Sequence, residues 1–359
     1  MEEEKIYREI EELREEYSKT KDNKATNKHI GILRAKIAKL KKELEERRKS
    51  TKTEYAIRKQ GDATIALVGY PNAGKSSIFS MITNKESKTG DYAFTTTNAI
   101  EGMMNYKDAH IQVLDLPGLL EEAETGRGGG RKFISMARIA DLFVFVFEPS
   151  AVAKIAAMLG SLSKLGIRFG ERKAILQIRE KGGIEIENRS GIEESIIKEI
   201  LSSFSIYNAK ITIEKGCKEE EIIDEISGHA VYKKAMLVIN KLDLVEDKNS
   251  LEREVRAYGL PFILVSAKEN YGISELKEMI FKEAGIIRVY LRPKGENRLD
   301  LKPMIIKRGS TVGDLAKKIH SSLYENFHYA KVSGSSVKFE NQKVGKGHVL
   351  EDGDSVAIY

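Results

Sequence analysis

Residues 69–76 read GYPNAGKS, and the spacing of their two outer glycines and the lysine indicates the kind of domain around them. An apolar run at 63–68, typical of a buried strand, precedes them, and a helical pattern follows. Between a strand and a helix this spacing forms a loop whose backbone N–H groups surround a phosphate at a helix N-terminus. Lys75 is then expected to reach the β- and γ-phosphates, and the Ser76 hydroxyl to bind Mg²⁺. The loop therefore predicts a nucleoside triphosphate site.

Two further motifs favour guanine as the base. Residues 240–243 read NKLD after a predicted strand at 235–239, and residues 266–268 read SAK after a predicted strand at 262–265. The Asp243 carboxylate can accept from both N1–H and the exocyclic amine of guanine, whereas adenine has no N1–H. Losing two buried, charge-assisted bonds costs several kcal/mol. The Lys241 stem is expected to pack over the base, and a backbone N–H of the SAK motif to lie near the guanine carbonyl.

The region between these motifs carries a predicted switch. Residues 115–118 read DLPG at the end of a predicted strand at 111–114. Asp115 is expected to hold Mg²⁺ through water, and the N–H of Gly118 to contact the γ-phosphate. Residues 94–97 read FTTT, and one of these threonines is expected to close over Mg²⁺ when GTP is bound. A threonine-rich β edge is the alternative interpretation.

The spacing of the motifs predicts a divided domain. Asp115 and Asn240 are 125 residues apart, whereas two helices, one strand and their loops need about 50 to 70. An inserted α/β subdomain at 166–231 accounts for the excess. The nucleotide-binding domain is therefore expected at 61–165 and 232–286, as a mostly parallel sheet with helices on both faces.

The two ends of the chain predict further parts. Residues 3–49 have helical periodicity and predict a helical hairpin within an N-terminal region at 1–60. Short strands around one predicted helix at 312–324 indicate a compact α+β domain at 287–359. Residues 34–49 contain eight Lys or Arg against three Glu. A basic segment of this kind favours a polyanionic partner such as RNA, and the alternative is that these charges only solvate a helix face.

Composition excludes several protein classes. The 359 residues are 41% apolar by the AVILMFWYC count, which excludes a wholly disordered chain, and Cys217 is the only cysteine, which excludes a disulfide scaffold. An uncharged apolar stretch of the roughly 18 residues that span a bilayer is absent from the sequence. The start of the sequence has no apolar core of a signal peptide. We expect a cytoplasmic protein without a membrane partner.

These motifs resemble the developmentally regulated GTP-binding branch of the Obg family over nearly the whole chain. Residues 91–96, DYAFTT, are similar to that family's switch I, and the DLPG and NKLD motifs match without alteration. Residues 309–316 and 350–354 resemble the ubiquitin-like TGS domain. The resemblance implies a P-loop GTPase domain, an inserted subdomain similar to one in ribosomal proteins, and a C-terminal β-grasp domain. It also implies that the second threonine of the FTT sequence, Thr96, meets Mg²⁺.

The resemblance implies an activity and partners. These are GTP hydrolysis to GDP and phosphate as a switch associated with ribosomes or RNA, a small accessory protein, and no DNA specificity. Mg²⁺ is implied as cofactor, and Asn72 implies activation by K⁺, unless its side chain only bonds its own backbone. An RNA-binding scaffold with negligible hydrolysis is the alternative, and a P-loop kinase is disfavoured by the guanine motifs. Glu122 stands where the family usually has glycine, and Leu119 where many GTPases have a water-orienting glutamine.

The predicted site residues fall into three groups. Nucleotide contacts are predicted for Gly69, Tyr70, Pro71, Asn72, Ala73, Gly74, Lys75, Ser76, Ser77, Thr95, Thr96, Asp115, Gly118, Asn240, Lys241, Asp243, Ser266, Ala267 and Lys268. Catalytic roles are predicted for Lys75, Thr96, Gly118 and Asn72, and Arg127 and Arg131 are candidate arginines in cis. Metal binding is predicted for Ser76, Thr96 and, through water, Asp115.

Overall fold

A computed structural model describes residues 2–20, 27–48, 59–83, 88–90, 99–116, 139–228, 230–292 and 302–359, together with 118, 120, 133, 134, 136 and 137. The chain forms two compact units. Unit 1 comprises Met1–Ala56 and Leu162–Lys233, and unit 2 comprises Ile57–Ser161 and Lys234–Tyr359. Each unit is discontinuous in sequence, so the chain leaves unit 2 after Ser161 and re-enters it at Lys234.

The described residues form helices and strands in a mixed order. The helices are α1 (Glu2–Lys19), α2 (Asn27–Arg48), α3 (Lys75–Ile82), α4 (Lys154–Lys164), α5 (Glu194–Ser203), α6 (Glu219–Ser227), α7 (Lys248–Arg256), α8 (Ile273–Glu283), α9 (Val312–Ile319) and α10 (Ser321–Glu325). The strands are β1 (Ala63–Gly69), β2 (Lys88–Gly90), β3 (Ala99–Tyr106), β4 (Ala109–Asp115), β5 (Leu142–Phe147), β6 (Ile167–Phe169), β7 (Ala174–Ile178), β8 (Ile184–Asn188), β9 (Ala209–Ile213), β10 (Val231–Ile239), β11 (Phe262–Leu264), β12 (Ile286–Leu291), β13 (Met304–Lys307), β14 (Ala330–Ser333), β15 (Gln342–Val344) and β16 (Ser355–Ile358). Within these described elements, no helix combines the length and the apolar character that crossing a bilayer needs.

The central sheet of unit 2 positions the candidate site. Its strand order is β11-β10-β5-β1-β4-β3-β2, with parallel pairing from β11 to β4 and antiparallel pairing at β3 and β2. Every residue of β1 and β5 is buried, because helices cover both faces of the parallel strands. The carboxyl ends of these strands therefore meet along one edge. The antiparallel strands β2 and β3 were not predicted, because their residues lack a continuous apolar run.

The C-terminal domain, also in unit 2, has a mixed sheet of order β13-β12-β16-β14-β15. Helix α9 packs on one face through Val312 and Leu315, which confirms the β-grasp fold that the resemblance implies. The single helix predicted over 312–324 is wrong. His320 has an extended backbone with φ −167°, and its side chain caps α10 by accepting from the N–H of Ser322 at 3.2 Å. This bond gives His320 a structural role.

Unit 1 joins the N-terminal helices to the inserted subdomain. The insert has a three-stranded sheet of order β7-β9-β8, with α5 and α6 packed on one side of it. Helix α2 contacts α5, α6 and α1, and its Ala35 is buried in the core of the insert. On another side of α2, Ile37 packs with Ile6 and Ile10 of α1, as the apolar stripes predict. Helix α2 therefore contributes to two cores, that of the insert and the one that it forms with α1.

Candidate functional site

The phosphate-binding loop runs from the end of β1 to the start of α3. Asn72 and Gly74 both have left-handed backbones, with φ 64° and 86°. A Cβ atom on Gly74 would lie only 2.1 Å from Nδ2 of Asn240, so only glycine fits between the loop and that side chain. Asparagine tolerates the left-handed region better than most residues, which gives Asn72 a backbone reason for its position.

Lys75 and the serines after it lie at the first turn of α3. The Lys75 ammonium donates to the carbonyl oxygens of Gly69 at 2.9 Å and Tyr70 at 3.3 Å, so it lies inside the loop. Ser76 and Ser77 are exposed. The serine hydroxyls at this helix N-terminus are exposed, and the lysine lies inside the loop. Together they can bind a phosphate and a cation beside it.

Asp115 ends β4 next to β1 and is only 2% exposed. Its Oδ1 atom makes no hydrogen bond within the part of the chain that the structure describes. Burial raises the pKa of this carboxyl, although the positive charge of Lys75 opposes that shift. A buried carboxylate oxygen without a donor is available to a cation or to water bound to one. Gly118, three residues later, has φ 72° and open space where a Cβ would be.

Asn240 joins the phosphate-binding loop to the predicted base-binding loop. Its side chain is buried, its Nδ2 donates to the carbonyl of Ala73 at 3.0 Å, and its Oδ1 accepts from the N–H of Ala267 at 3.0 Å. Its own N–H donates to the carbonyl of Phe147 at 2.8 Å. One amide therefore fixes the distance between the two loops.

Asp243 is held for base recognition by its neighbours. The Ser266 hydroxyl donates to Oδ1 of Asp243 at 2.6 Å, and the Lys268 ammonium lies 4.0 Å from Oδ2. The hydrogen bond from Ser266 lowers the pKa of the Asp243 carboxyl below its ordinary value. The N–H groups of Ser266 and Ala267 already donate to Tyr271 and Asn240, whereas that of Lys268 makes no bond to described residues. Within the SAK motif, the backbone N–H of Lys268 is therefore the one available to donate to a ligand.

Comparison with known proteins agrees with this geometry. A family model described as a 50S ribosome-binding GTPase matches residues 64–181, its C-terminal extension matches 181–286, and a TGS domain model matches 287–359. The human developmentally-regulated GTP-binding protein 2 is 33% identical over 98% of this chain and 99% of its own. The chain belongs to the developmentally regulated GTP-binding protein family.

Other relatives extend across several organisms. The developmentally-regulated GTP-binding protein 1 of Xenopus laevis is 35% identical over 97% of each chain. A GTP-binding protein of Methanocaldococcus jannaschii is 37% identical over 98% of this chain and 92% of its own. A solved structure similar to this chain is the G domain of the T. maritima FeoB iron transporter, at 20% identity and a TM-score of 0.33, covering 62% of this chain and 98% of that chain. The family models and the relatives in sequence show that this chain is a GTP-binding protein with a TGS domain.

One site residue of this GTP-binding protein was not predicted. Glu148 directly follows β5, and its Oε2 lies 2.6 Å from the ammonium of Lys241. Donation by Lys241, and then by Ser150, lowers the pKa of Glu148. The signal in the sequence is an acidic residue at the carboxyl end of a fully apolar strand, where a parallel sheet gathers its ligand-binding groups.

Several predicted residues lie outside the described residues. They are Thr95, Thr96, Leu119, Glu122, Arg127 and Arg131. The described residues bring the others together on the strand ends of unit 2, from the phosphate loop to the NKLD and SAK loops. Pro71 is exposed in the loop, and the Tyr70 ring packs edge-on against Phe147, with centroids 5.8 Å apart.

Proposed function

We propose that this GTP-binding protein hydrolyses GTP to GDP and phosphate and acts as a switch associated with the ribosome or its RNA. The observation that carries the hydrolytic part is the unpaired Oδ1 of Asp115. Burying an oxygen of an ionised carboxylate with no donor for that oxygen destabilises a fold. Asp115 lies one strand from the phosphate-binding loop, where its carboxylate can bind a cation that accompanies the nucleotide.

The residues present fit Mg²⁺. This cation prefers oxygen ligands, and the loop offers the exposed hydroxyl of Ser76 and the carboxylate of Asp115, with Thr96 as the predicted third group. When bound, Mg²⁺ would neutralise charge on the β- and γ-phosphates. The chain's own part is electrostatic: Lys75 exchanges its two carbonyl acceptors for phosphate oxygens, and the N-terminus of α3 faces the same charge.

We assign a second, monovalent cation to Asn72. Its side chain is exposed and makes no hydrogen bond to the described residues. The amide oxygen is therefore available to K⁺ beside the nucleotide, and the cation would add positive charge next to the phosphates. Leu119 has no donor or acceptor with which to orient water.

The charge on the chain supports an RNA-containing partner. Lys36 and Lys39 are exposed on α2, within a segment that carries eight Lys or Arg against three Glu. RNA phosphates attract such a helix through counterion release, without sequence specificity. This charge supports the proposed association with ribosomes.

Turnover of GTP by the purified full chain, with and without ribosomes, tests the proposal. We expect measurable hydrolysis that ribosomes stimulate, and sedimentation with ribosomes that differs between GTP and GDP. Lys75→Ala is the control for contaminating hydrolases, because it removes the predicted phosphate contact. Absence of turnover in both conditions, with GTP-independent sedimentation, would instead establish the scaffold function.

A further inference from the structure

Described residues of the nucleotide-binding domain cover one end of the outer face of the C-terminal sheet. At that end Ile286 and Ile305 belong to the core cluster of the nucleotide-binding domain, and the Arg288 guanidinium lies 5.9 Å from the centre of the Phe281 ring. At the other end, in β14, β15 and β16, the outer face carries exposed lysines and partly exposed tyrosines. Among the described residues of unit 2, this second end forms an exposed surface.

Two tyrosines form a fixed stack on this surface. Tyr359 donates its N–H to the carbonyl of Tyr329 at 2.9 Å and accepts from the N–H of Tyr329 at 3.3 Å, which is the reciprocal pair of an antiparallel ladder. Their ring centroids are 4.8 Å apart and the planes differ by 11°. Ala330 and Ile358, the next residues inward on each strand, face the domain core. The main chain therefore fixes both rings on the outer face.

A row of cations crosses the sheet beside the tyrosines. Lys331 pairs with Lys343 across β14 and β15, and with Ala357 of β16 on its other side. Continuing the register of β12 and β16 places Arg292 next to Ala357, where it donates to Asn341 at 2.6 Å. Neighbouring strands are about 4.8 Å apart, so these cations are spaced along a line perpendicular to the strands.

The lysines of this row lie against the aromatic rings. The Lys343 ammonium is 4.1 Å from the centre of the Tyr329 ring, and the Lys331 ammonium is 5.5 Å from the centre of the Tyr359 ring. Neither lysine makes a salt bridge within the described residues. Their flexible stems allow the charges to move from the rings to an anion, which would uncover the ring faces.

We propose that this surface, the tyrosine face (Tyr329, Tyr359, Lys331, Lys343 and Arg292), binds single-stranded RNA. The inference rests on the RNA association in the proposed function and assigns it a site. Bases stack on tyrosine rings whatever their sequence, and cations beside the rings hold the phosphates. Bases of a duplex are already stacked on one another, so the face is expected to select single strands. An acidic peptide would use the lysines and would gain little from the rings.

Fluorescence anisotropy with the full chain tests the tyrosine face. The probes are labelled oligouridylate and oligoadenylate of about 12 nucleotides, a duplex RNA of the same length, and a polyglutamate peptide. Replacing both tyrosines by leucine (Y329L/Y359L) should weaken binding of the single strands by roughly fivefold or more, because base stacking is lost. Replacing both by phenylalanine keeps the rings and should leave affinity within about twofold.

A matched control lies on the helical side of the same domain. There Tyr324 is flanked by Lys317 and Lys346, whose ammonium groups are 4.2 Å and 4.3 Å from its ring centre. Tyr324→Leu should leave RNA affinity unchanged. The variant K331Q/K343Q serves if the leucine variant unfolds, and it should reduce the salt slope of log K by about 1.4, or about 0.7 for each phosphate contact.

The outcomes separate the inference from the proposed function. Unchanged RNA affinity in both the leucine and the lysine variants, or an equal loss in Tyr324→Leu, overturns the tyrosine face, and sedimentation with ribosomes would then have another source. Tight binding of polyglutamate with weak binding of RNA overturns it in favour of an acidic protein partner. GTP turnover should be the same in all of these variants, so failure of the hydrolytic proposal would be seen independently.

Discussion

The ammonium of Lys241 lies 2.6 Å from the carboxylate of Glu148, so a residue of the base-binding loop is tied to the end of the central strand β5. Lys241 has a left-handed backbone with φ 65°. A long side chain on such a backbone has many orientations, and the ion pair selects one. Glu148 is therefore a positioning residue for the stem that is expected to pack over guanine.

Glu148→Gln should weaken GDP binding by roughly two- to fivefold, which is the range of a partly exposed ion pair. Titration calorimetry on this variant, on Lys241→Met and on the double variant measures the coupling between the two residues. If Glu148 acts through Lys241, the double variant binds no worse than Lys241→Met alone. Because Lys241 and Ser150 lower the pKa of Glu148, the carboxylate loses its charge only below its ordinary range, and the difference should stay constant through neutral pH.

Asp243→Asn should reduce guanine nucleotide affinity by about 10²-fold or more and raise affinity for xanthine nucleotides. The amide donates where the carboxylate accepted, and its oxygen can still accept from Ser266. Asp247→Asn is a suitable control, since Asp247 caps α7 by accepting from the N–H of Ser250 in the same region. Competition between GDP and xanthosine diphosphate measures the change, and an unaltered preference would place the base elsewhere.

Activation by K⁺ should depend on the side-chain oxygen of Asn72. Hydrolysis in KCl should exceed that in NaCl at equal ionic strength. Asn72→Gly keeps the left-handed backbone and removes the oxygen, so it should abolish the difference while GDP affinity stays nearly intact. Asn72→Asp keeps an oxygen and should retain the preference for K⁺. Equal rates in the two salts for the unaltered protein would exclude the cation and direct attention to Arg127 and Arg131.

Asp115→Asn should stabilise the nucleotide-free protein while it impairs hydrolysis. Removing a buried charge whose Oδ1 has no donor relieves a desolvation cost, and the midpoint of thermal unfolding should rise by about 2 °C or more. Burial raises the pKa of Asp115, so the folded state of the unaltered protein takes up a proton more readily than the unfolded state. Its stability deficit should therefore shrink as the pH falls through that raised pKa.

The matched control for this variant is Asp141→Asn. Asp141 accepts from the N–H of Thr64 at 2.9 Å and from the Lys59 ammonium at 3.0 Å, so its carboxylate has donors. Its replacement should leave the unfolding midpoint unchanged or lower it. If the unfolding midpoint rises equally in both variants, the unbonded Oδ1 of Asp115 is not the cause of the lower stability.

Lys36→Glu combined with Lys39→Glu should weaken RNA binding and reduce its salt slope by about 1.4 to 1.8 if both lysines meet phosphates. Both side chains are exposed on α2. Lys181→Glu with Lys215→Glu makes the same charge change at exposed lysines elsewhere in unit 1. Filter binding over a series of salt concentrations measures the slopes, and equal slopes for the two variants would mean that the α2 lysines are merely solvated.

The phosphate and base motifs were predictable because their chemistry is local. Gly74 and Lys75 show their roles through spacing alone, and a buried apolar run before each motif locates the strand end. The partner of Asn240 was not predictable, because the carbonyl of Ala73 that it contacts is 167 residues away. Nothing local to His320 signals the end of α9 either, since the apolar spacing from Ile319 to Leu323 continues a helical pattern.

The contact of α2 with α5 and α6 was not predicted, for a different reason. Its contacts with α5 and α6 use Ala35 and Ala38, whose small side chains contribute little to an apolar stripe. The larger Ile37 and Leu40 of α2 pack instead against α1. Small residues that let helices approach closely carry a weak signal in a pattern based on hydrophobicity.

The packing of α2 into the insert has a consequence for how the chain is made. The helices α5 and α6 lie roughly 160 to 190 residues after Ala35 and Ala38, and at about 5 to 20 residues per second a ribosome reaches them roughly 8 to 40 s later. During that interval the side of α2 that belongs to the insert has no partner from its own chain. The nascent protein therefore exposes it while the phosphate-binding strands are already being synthesised, so chaperones can reach this helix during that interval.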